Sequence, residues 1–179
     1  MVQLIELLAG RNLAKLLVFF LQNPSAEISQ VQVSRKVGLA KATLVKWLRR
    51  LVNTGVLSMR NLGATNLYSL RMESSVVRQL KIAQSLSLLS GLKNVLGGHG
   101  IKAYLYGSAA RGEDVESSDF DVLVIGAVKR ETVIGEINKL ASNLKKRINL
   151  SIFSAMEWSE MSRKDKPFYE RVEKDKVEL

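Results

Sequence analysis

Between Ala103 and Ile125 the chain reads AYLYGSAARGEDVESSDFDVLVI. A short apolar run, Tyr104-Leu105-Tyr106, ends in Gly107-Ser108. After ten intervening residues, Asp119-Phe120-Asp121 opens a second apolar run, Val122 to Ile125. A strand that ends in Gly-Ser presents backbone N–H groups and a hydroxyl with no Cβ at the turn, which suits a close approach by phosphate oxygens. Aspartates at i and i+2 on a strand share one face, because side chains alternate with a period of two; Phe120 between them points to the other side, into a core. Two carboxylates on one face form a hard oxygen site suited to Mg²⁺ (or Mn²⁺), commonly completed by substrate phosphates.

Gly107, Ser108, Asp119 and Asp121 together resemble the signature of the small nucleotidyltransferase-fold domains. The resemblance implies that the Gly-Ser turn holds the β and γ phosphates of a nucleoside triphosphate (NTP), that Asp119 and Asp121 hold the divalent metal and are the catalytic pair, and that a nucleoside monophosphate passes to an acceptor with release of pyrophosphate. It also implies a third acid on a later strand. That strand reads Arg147-Ile148-Asn149-Leu150-Ser151-Ile152, and the position falls on Asn149, which has no charge and cannot act as a base. Phosphate and metal binding are expected, and catalysis is left open. Arg111 is within reach of a phosphate, or of Glu113 or Asp114 as a salt bridge.

The whole chain has 179 residues, 46% of them hydrophobic, enough for one large or two small domains with packed cores. No apolar run is long enough to span a membrane, and the start lacks a basic region and a small-residue cleavage site, so neither a span nor secretion is expected. With no cysteine and one histidine, His99, thiolate and histidine metal clusters are not expected; a reducing cytoplasm fits. The net charge of +10 is uneven: residues 1–72 hold ten lysines and arginines against two acids, and residues 73–179 hold seventeen against fifteen. A basic excess confined to one end is the electrostatic footprint of a nucleic-acid-binding module.

Taken in order, Val2 to Leu21 has Leu13, Leu17 and Phe20 at helical spacing and stops at Asn23-Pro24, with Gly10 placed to split it. Leu4, Ile5 and Leu8 are apolar enough to pack on a partner subunit or on the chain's own core. Ser29 with Gln32 reads as a capping box for a helix to Val37, broken by Gly38. A second helix runs from about Lys41 to Asn53, with Leu44, Leu48 and Leu51 buried and Thr54-Gly55 at its end. Val56 to Arg60 and Leu67 to Arg71 read as a hairpin around Asn61, Gly63 and Asn66.

Residues 11–72 thereby resemble a winged helix-turn-helix domain of transcription regulators. The resemblance places Lys41, Ala42, Thr43, Lys46 and Trp47 toward the major groove of double-stranded DNA, Thr43 and Lys46 at base edges, and Lys41, Arg49, Arg50 and wing Arg60 near phosphates.

Met72 to Leu96 reads as one long helix with a wide apolar stripe through Ile82, Leu86, Leu89 and Leu96, the serines at 85, 87 and 90 on its surface, and a loop Gly97-Gly98-His99-Gly100 after it. A helix from about Arg130 to Lys146 ends in Lys145-Lys146-Arg147, cations that suit a helix C-terminus or an acceptor. The strand Ile148 to Phe153, a helix Ser154 to Asp165 with Trp158 and Met161 inward, and a short terminal helix complete the reading.

The expected architecture is two-domain, α+β or α/β: a winged helix-turn-helix domain at 1–72, a connecting helix at 73–98, and at 99–179 a nucleotidyltransferase fold with a mixed sheet and flanking helices. Three functions fit: a DNA-associated, cytoplasmic nucleotidyltransferase; a transcription regulator whose second domain senses nucleotide without chemistry; and an antitoxin-like protein with a protein partner. A two-fold operator would require a homodimer.

Overall fold

The computed structural model describes residues 10–96 and 100–179. Leu4, Ile5, Leu8 and Gly97-Gly98-His99, read as part of a loop, lie outside the described residues. The chain divides into two compact units, residues 1–80 and 81–179. Among the described residues no helix is long and apolar enough to cross a membrane.

In the first unit, α1 (Arg11–Gln22) buries Leu13, Leu16, Leu17, Phe20 and Leu21 on one face, and Asn23 ends it by turning its side-chain amide onto the Phe19 carbonyl. A two-residue strand, β1 (Ile28–Ser29), leads into α2 (Gln30–Val37). Ser29 and Gln32 close a reciprocal capping box, and Gly38 ends α2 in the left-handed region. Helix α3 (Lys41–Asn53) buries Leu44, Leu48 and Leu51. The hairpin of β2 (Leu57–Leu62) and β3 (Thr65–Leu70) turns at Gly63 and Ala64, and β1 adds to β3 to give the order β1-β3-β2. Asn61 and Asn66, expected in the turn, pair with each other on the strands.

Helix α4 (Ser75–Leu89) corrects the expected long helix. The helical run breaks at Ser90-Gly91 before α5 (Leu92–Leu96). Gly91 has the weak helix preference of glycine, and the Ser90 hydroxyl bonds back to the Ser87 carbonyl, closing the last turn. The buried face also differs: Val77, Lys81, Ser85 and Leu89 are its buried positions, while Ile82, Leu86 and Leu88 are half-buried. Ser85 is therefore not a surface serine.

The second unit is built on β4 (Lys102–Tyr106), the one-turn helix α6 (Gly107–Ala110), β5 (Phe120–Ile125), α7 (Arg130–Leu144), β6 (Ile148–Phe153), α8 (Ala155–Lys164), α9 (Lys166–Asp175) and β7 (Val177–Glu178). The sheet order is β6-β5-β4-β7, with β5 and β6 parallel and the other pairs antiparallel, so the sheet is mixed. Alternation then sorts the side chains. Ala103, Leu105, Phe120, Val122, Val124 and Leu150 face the helices that supply Leu89, Leu92, Leu96, Val133 and Ile137. Tyr104, Tyr106, Leu123 and Phe153 face an aromatic cluster of Trp158, Phe168 and Tyr169 from α8 and α9. Ser154 caps α8 through a second capping box with Glu157, and Asp165 caps α9, where Pro167 occupies the first turn.

A buried ionic cluster fixes the loop between α6 and β5. Lys81 Nζ lies 2.9 Å from Asp114 Oδ1, with side chains only 2% and 8% exposed. Lys146 Nζ takes the other oxygen at 3.1 Å, donates to the Val115 carbonyl at 3.2 Å, and sits 5.0 Å from the centre of the Phe120 ring. Lys146 is thus a half-buried clamp on the loop rather than a cation on a helix end; α7 stops at Leu144, and Lys145 caps it in the left-handed region. Breaking a buried pair from one side leaves an uncompensated charge, at a cost of about 3–5 kcal/mol. Asp114→Asn, which strands Lys81, should lower urea-unfolding stability by about 3 kcal/mol, whereas Lys146→Met, which leaves the Lys81 pair intact, should cost less. Equal losses, or none, would show that the cluster does not hold the loop.

Candidate active site

The site forms where the N-terminal ends of β5 and β6 meet the C-terminal end of β4. Antiparallel pairing sets Tyr106 opposite Asp121, so Gly107 follows directly beside that carboxylate. Parallel pairing on the other side sets Asn149 opposite Asp121. Asp119, just before the strand, lies two residues from Asp121 and on its face, while Phe120 is buried below.

Asn149 joins the two acids. Its Nδ2 donates to Asp121 Oδ1 at 3.0 Å and to Asp119 Oδ2 at 3.3 Å. A carboxylate cannot donate, so the amide must present its nitrogen, and both N–H bonds are used. One oxygen of each aspartate therefore converges on a single point held by a donor. That convergence is what a cation needs, and with two carboxylates as donors the residues present fit one divalent ion. Among the described residues no group of three His, Cys, Asp or Glu side chains could hold a metal, so any ion here relies on two protein carboxylates and on its ligand.

Gly107 has φ +75°, where only glycine is unstrained, and a Cβ added to it would lie 2.6 Å from Asp121 Oδ2. The space that the missing Cβ leaves is filled by the carboxylate itself. Gly107 therefore seats Asp121 as well as turning the chain, a use that the sequence reading, which reserved the room for phosphate, did not include. Ser108 follows in α6, and its carbonyl accepts from the Arg111 and Glu113 amides.

Arg111 is held from two sides: Nε donates to Glu113 and Nη1 to Asp175, each at 2.8 Å. These bonds, Glu113 first and Asp175 second, raise its pKa further. The salt-bridge alternative is the one seen, extended by Asp175 of α9. Another cation reaches the carboxylates instead. Arg147 Nε lies 3.4 Å from Asp119 Oδ1, with its side chain 85% exposed. Sequence reasoning placed Arg147 at a helix end; its position immediately before the strand that carries Asn149 was the available signal.

In the first unit, Lys41, Ala42, Lys46 and Arg49 are exposed along α3, and Thr43, Trp47 and Arg50 are half-buried. Lys46 and Arg50 both lie against the Trp47 ring, 5.1 and 5.7 Å from its centre. Arg60 makes a two-bond pair with Glu27, at 2.8 and 2.7 Å, and the hydrogen bond foremost holds the Glu27 pKa below the ordinary carboxylate value.

Residues 87–177 match the model of the nucleotidyltransferase domain family. The chain belongs to that family. The matched region contains β4, β5 and β6 with Gly107, both aspartates and Asn149. No curated protein matches the sequence. Nucleotidyltransferase domains generally use an NTP and a divalent metal.

Proposed function

We propose that the second unit binds an NTP together with Mg²⁺ or Mn²⁺ at Asp119 and Asp121, and that this nucleotidyltransferase domain is joined to a DNA-binding winged helix. The observation that carries the first part is the bridge from one Asn149 nitrogen to both aspartates. When bound, the metal supplies positive charge that polarises the α-phosphate and screens it from the two carboxylates. The chain's own part is to hold those carboxylates convergent, with Gly107 and Asn149 seating them, and to turn Ser108 and its backbone toward the phosphates.

Transfer of the nucleoside monophosphate would form a bond from an acceptor oxygen to the α-phosphorus and break the bond to pyrophosphate, with the acceptor proton passing to a base. Asn149 cannot be that base. This favours a second reading in which the site binds nucleotide without transfer and biases DNA affinity, which requires nucleotide to bind two conformations unequally.

The exposed cations along α3 and the basic excess of residues 1–72 support the DNA-binding part. In this reading Thr43 and Lys46 face bases, and Lys41, Arg49, Arg50 and Arg60 face phosphates.

Calorimetric titration of each of the four NTPs, with and without Mg²⁺, should show metal-dependent binding of at least one, weakened tenfold or more by Asp119→Asn. Binding that ignores both metal and substitution would place the nucleotide elsewhere. For the first unit, replacing Lys41, Lys46 and Arg49 by alanine together should reduce affinity for duplex DNA and lower the slope of log K against log salt by roughly 2–3. An unchanged slope would remove α3 from the interface.

A further inference from the structure

Arg147 is the feature of the site with no assigned use. Its backbone is fixed: the Phe120 amide donates to the Arg147 carbonyl at 2.9 Å, tying the residue to the start of β5. The residue before it is fixed as well, since Lys146 is clamped by Asp114 and Val115 beneath the site. Two residues before it stands Lys145 with φ 53°, the positive-φ residue other than glycine among the described residues. An L-residue adopts that conformation at a cost, and here it reverses the chain at the end of α7 so that Lys146, half-buried, turns toward Asp114 while Arg147 emerges beside Asp119. The guanidinium is therefore anchored at its root and free to swing at its tip, being 85% exposed.

The charges around it explain what that freedom can serve. Asp119 and Asp121 are two negative groups, Asn149 adds none, and Arg147 at 3.4 Å offsets one of them. A free dication approaching Asp119 meets a guanidinium already there and must displace it. A triphosphate removes the conflict, because it gives the planar guanidinium a two-point partner of higher charge and leaves Asp119 to the metal. Arg111 is less suited to this exchange, since both Glu113 and Asp175 hold it.

We propose that Arg147 is a phosphate-binding residue that competes with free metal for Asp119, so that the site takes metal and triphosphate together and resists metal alone. The inference rests on the reading that the site binds a metal–NTP complex. Its signature is an opposite effect on two ligands. Removing Arg147 strengthens metal binding and weakens triphosphate binding, whereas a role limited to supporting the fold would weaken both.

The test titrates the full chain with MnCl₂ alone and with inorganic tripolyphosphate in excess MnCl₂, following bound Mn²⁺ by electron paramagnetic resonance and binding heat by calorimetry. Arg147→Met should bind Mn²⁺ alone about threefold tighter and Mn-tripolyphosphate about tenfold weaker than the wild type, with Arg147→Lys between them. Because the side chain is exposed, an unchanged melting temperature accompanies the expected result. Changes of the same sign for both ligands, no change in either, or failure of the wild type to bind tripolyphosphate while it binds an NTP would overturn the inference alone. A wild-type protein that binds neither tripolyphosphate nor any of the four Mn-NTPs overturns the nucleotide-site reading itself.

Discussion

Two carboxylates on one face of a strand repel each other, and the site depends on how that repulsion is met. Asp119 and Asp121 are brought onto one face by the two-residue period of the strand, then held by the two N–H bonds of a single amide on the neighbouring strand. The pairing of β5 with β6 makes this arrangement possible, because it sets Asn149 opposite Asp121. A shift of one residue in that register would turn Asn149 to the other face of the sheet and Leu150 toward the acids. The buried contacts of Phe120, Val122, Val124 and Leu150 hold the register, and the Lys81-Asp114-Lys146 cluster holds the loop leading into it. Core packing and site chemistry are thus one constraint.

Replacing an acid by an amide at this point changes what the site can do. A third carboxylate would add a negative charge and a proton acceptor; Asn149 instead supplies donors that satisfy the two acids in the absence of a cation. The pair is convergent before any ion arrives. The same bridge must be broken or rearranged when a metal enters, which favours ligands that bring compensating contacts of their own. In the proposed metal–NTP complex a triphosphate would do so, through its oxygens and through the guanidinium of Arg147.

What could be read from the sequence was local. The Gly-Ser turn, the Asp-x-Asp alternation, the Ser29 capping box and the Lys41–Asn53 helix each depend on residues a few positions apart, so spacing alone reveals them. What could not be read depends on distant partners. The strands at Ile28–Ser29 and Val177–Glu178 are two residues long, too short to show a period, and exist because β3 and β4 offer open edges. Ser85 read as helix surface but is buried, and so is Lys81, because Asp114, thirty-three positions on, neutralises it. The break at Ser90-Gly91 was hidden by the apolar stripe that continues across it. Gly107 was legible as a turn glycine, but the carboxylate that fills its missing Cβ comes from another strand.

The most direct test of the central claim, that Asp119, Asp121, Asn149 and the Gly107 turn form one metal–nucleotide site, is paramagnetic broadening of backbone amide signals on adding a Mn-NTP to isotope-labelled protein. Broadening should be strongest at Gly107, Ser108, Phe120, Asp121 and Asn149. Broadening centred on any other part of the sheet, with these five signals sharp, would contradict the account.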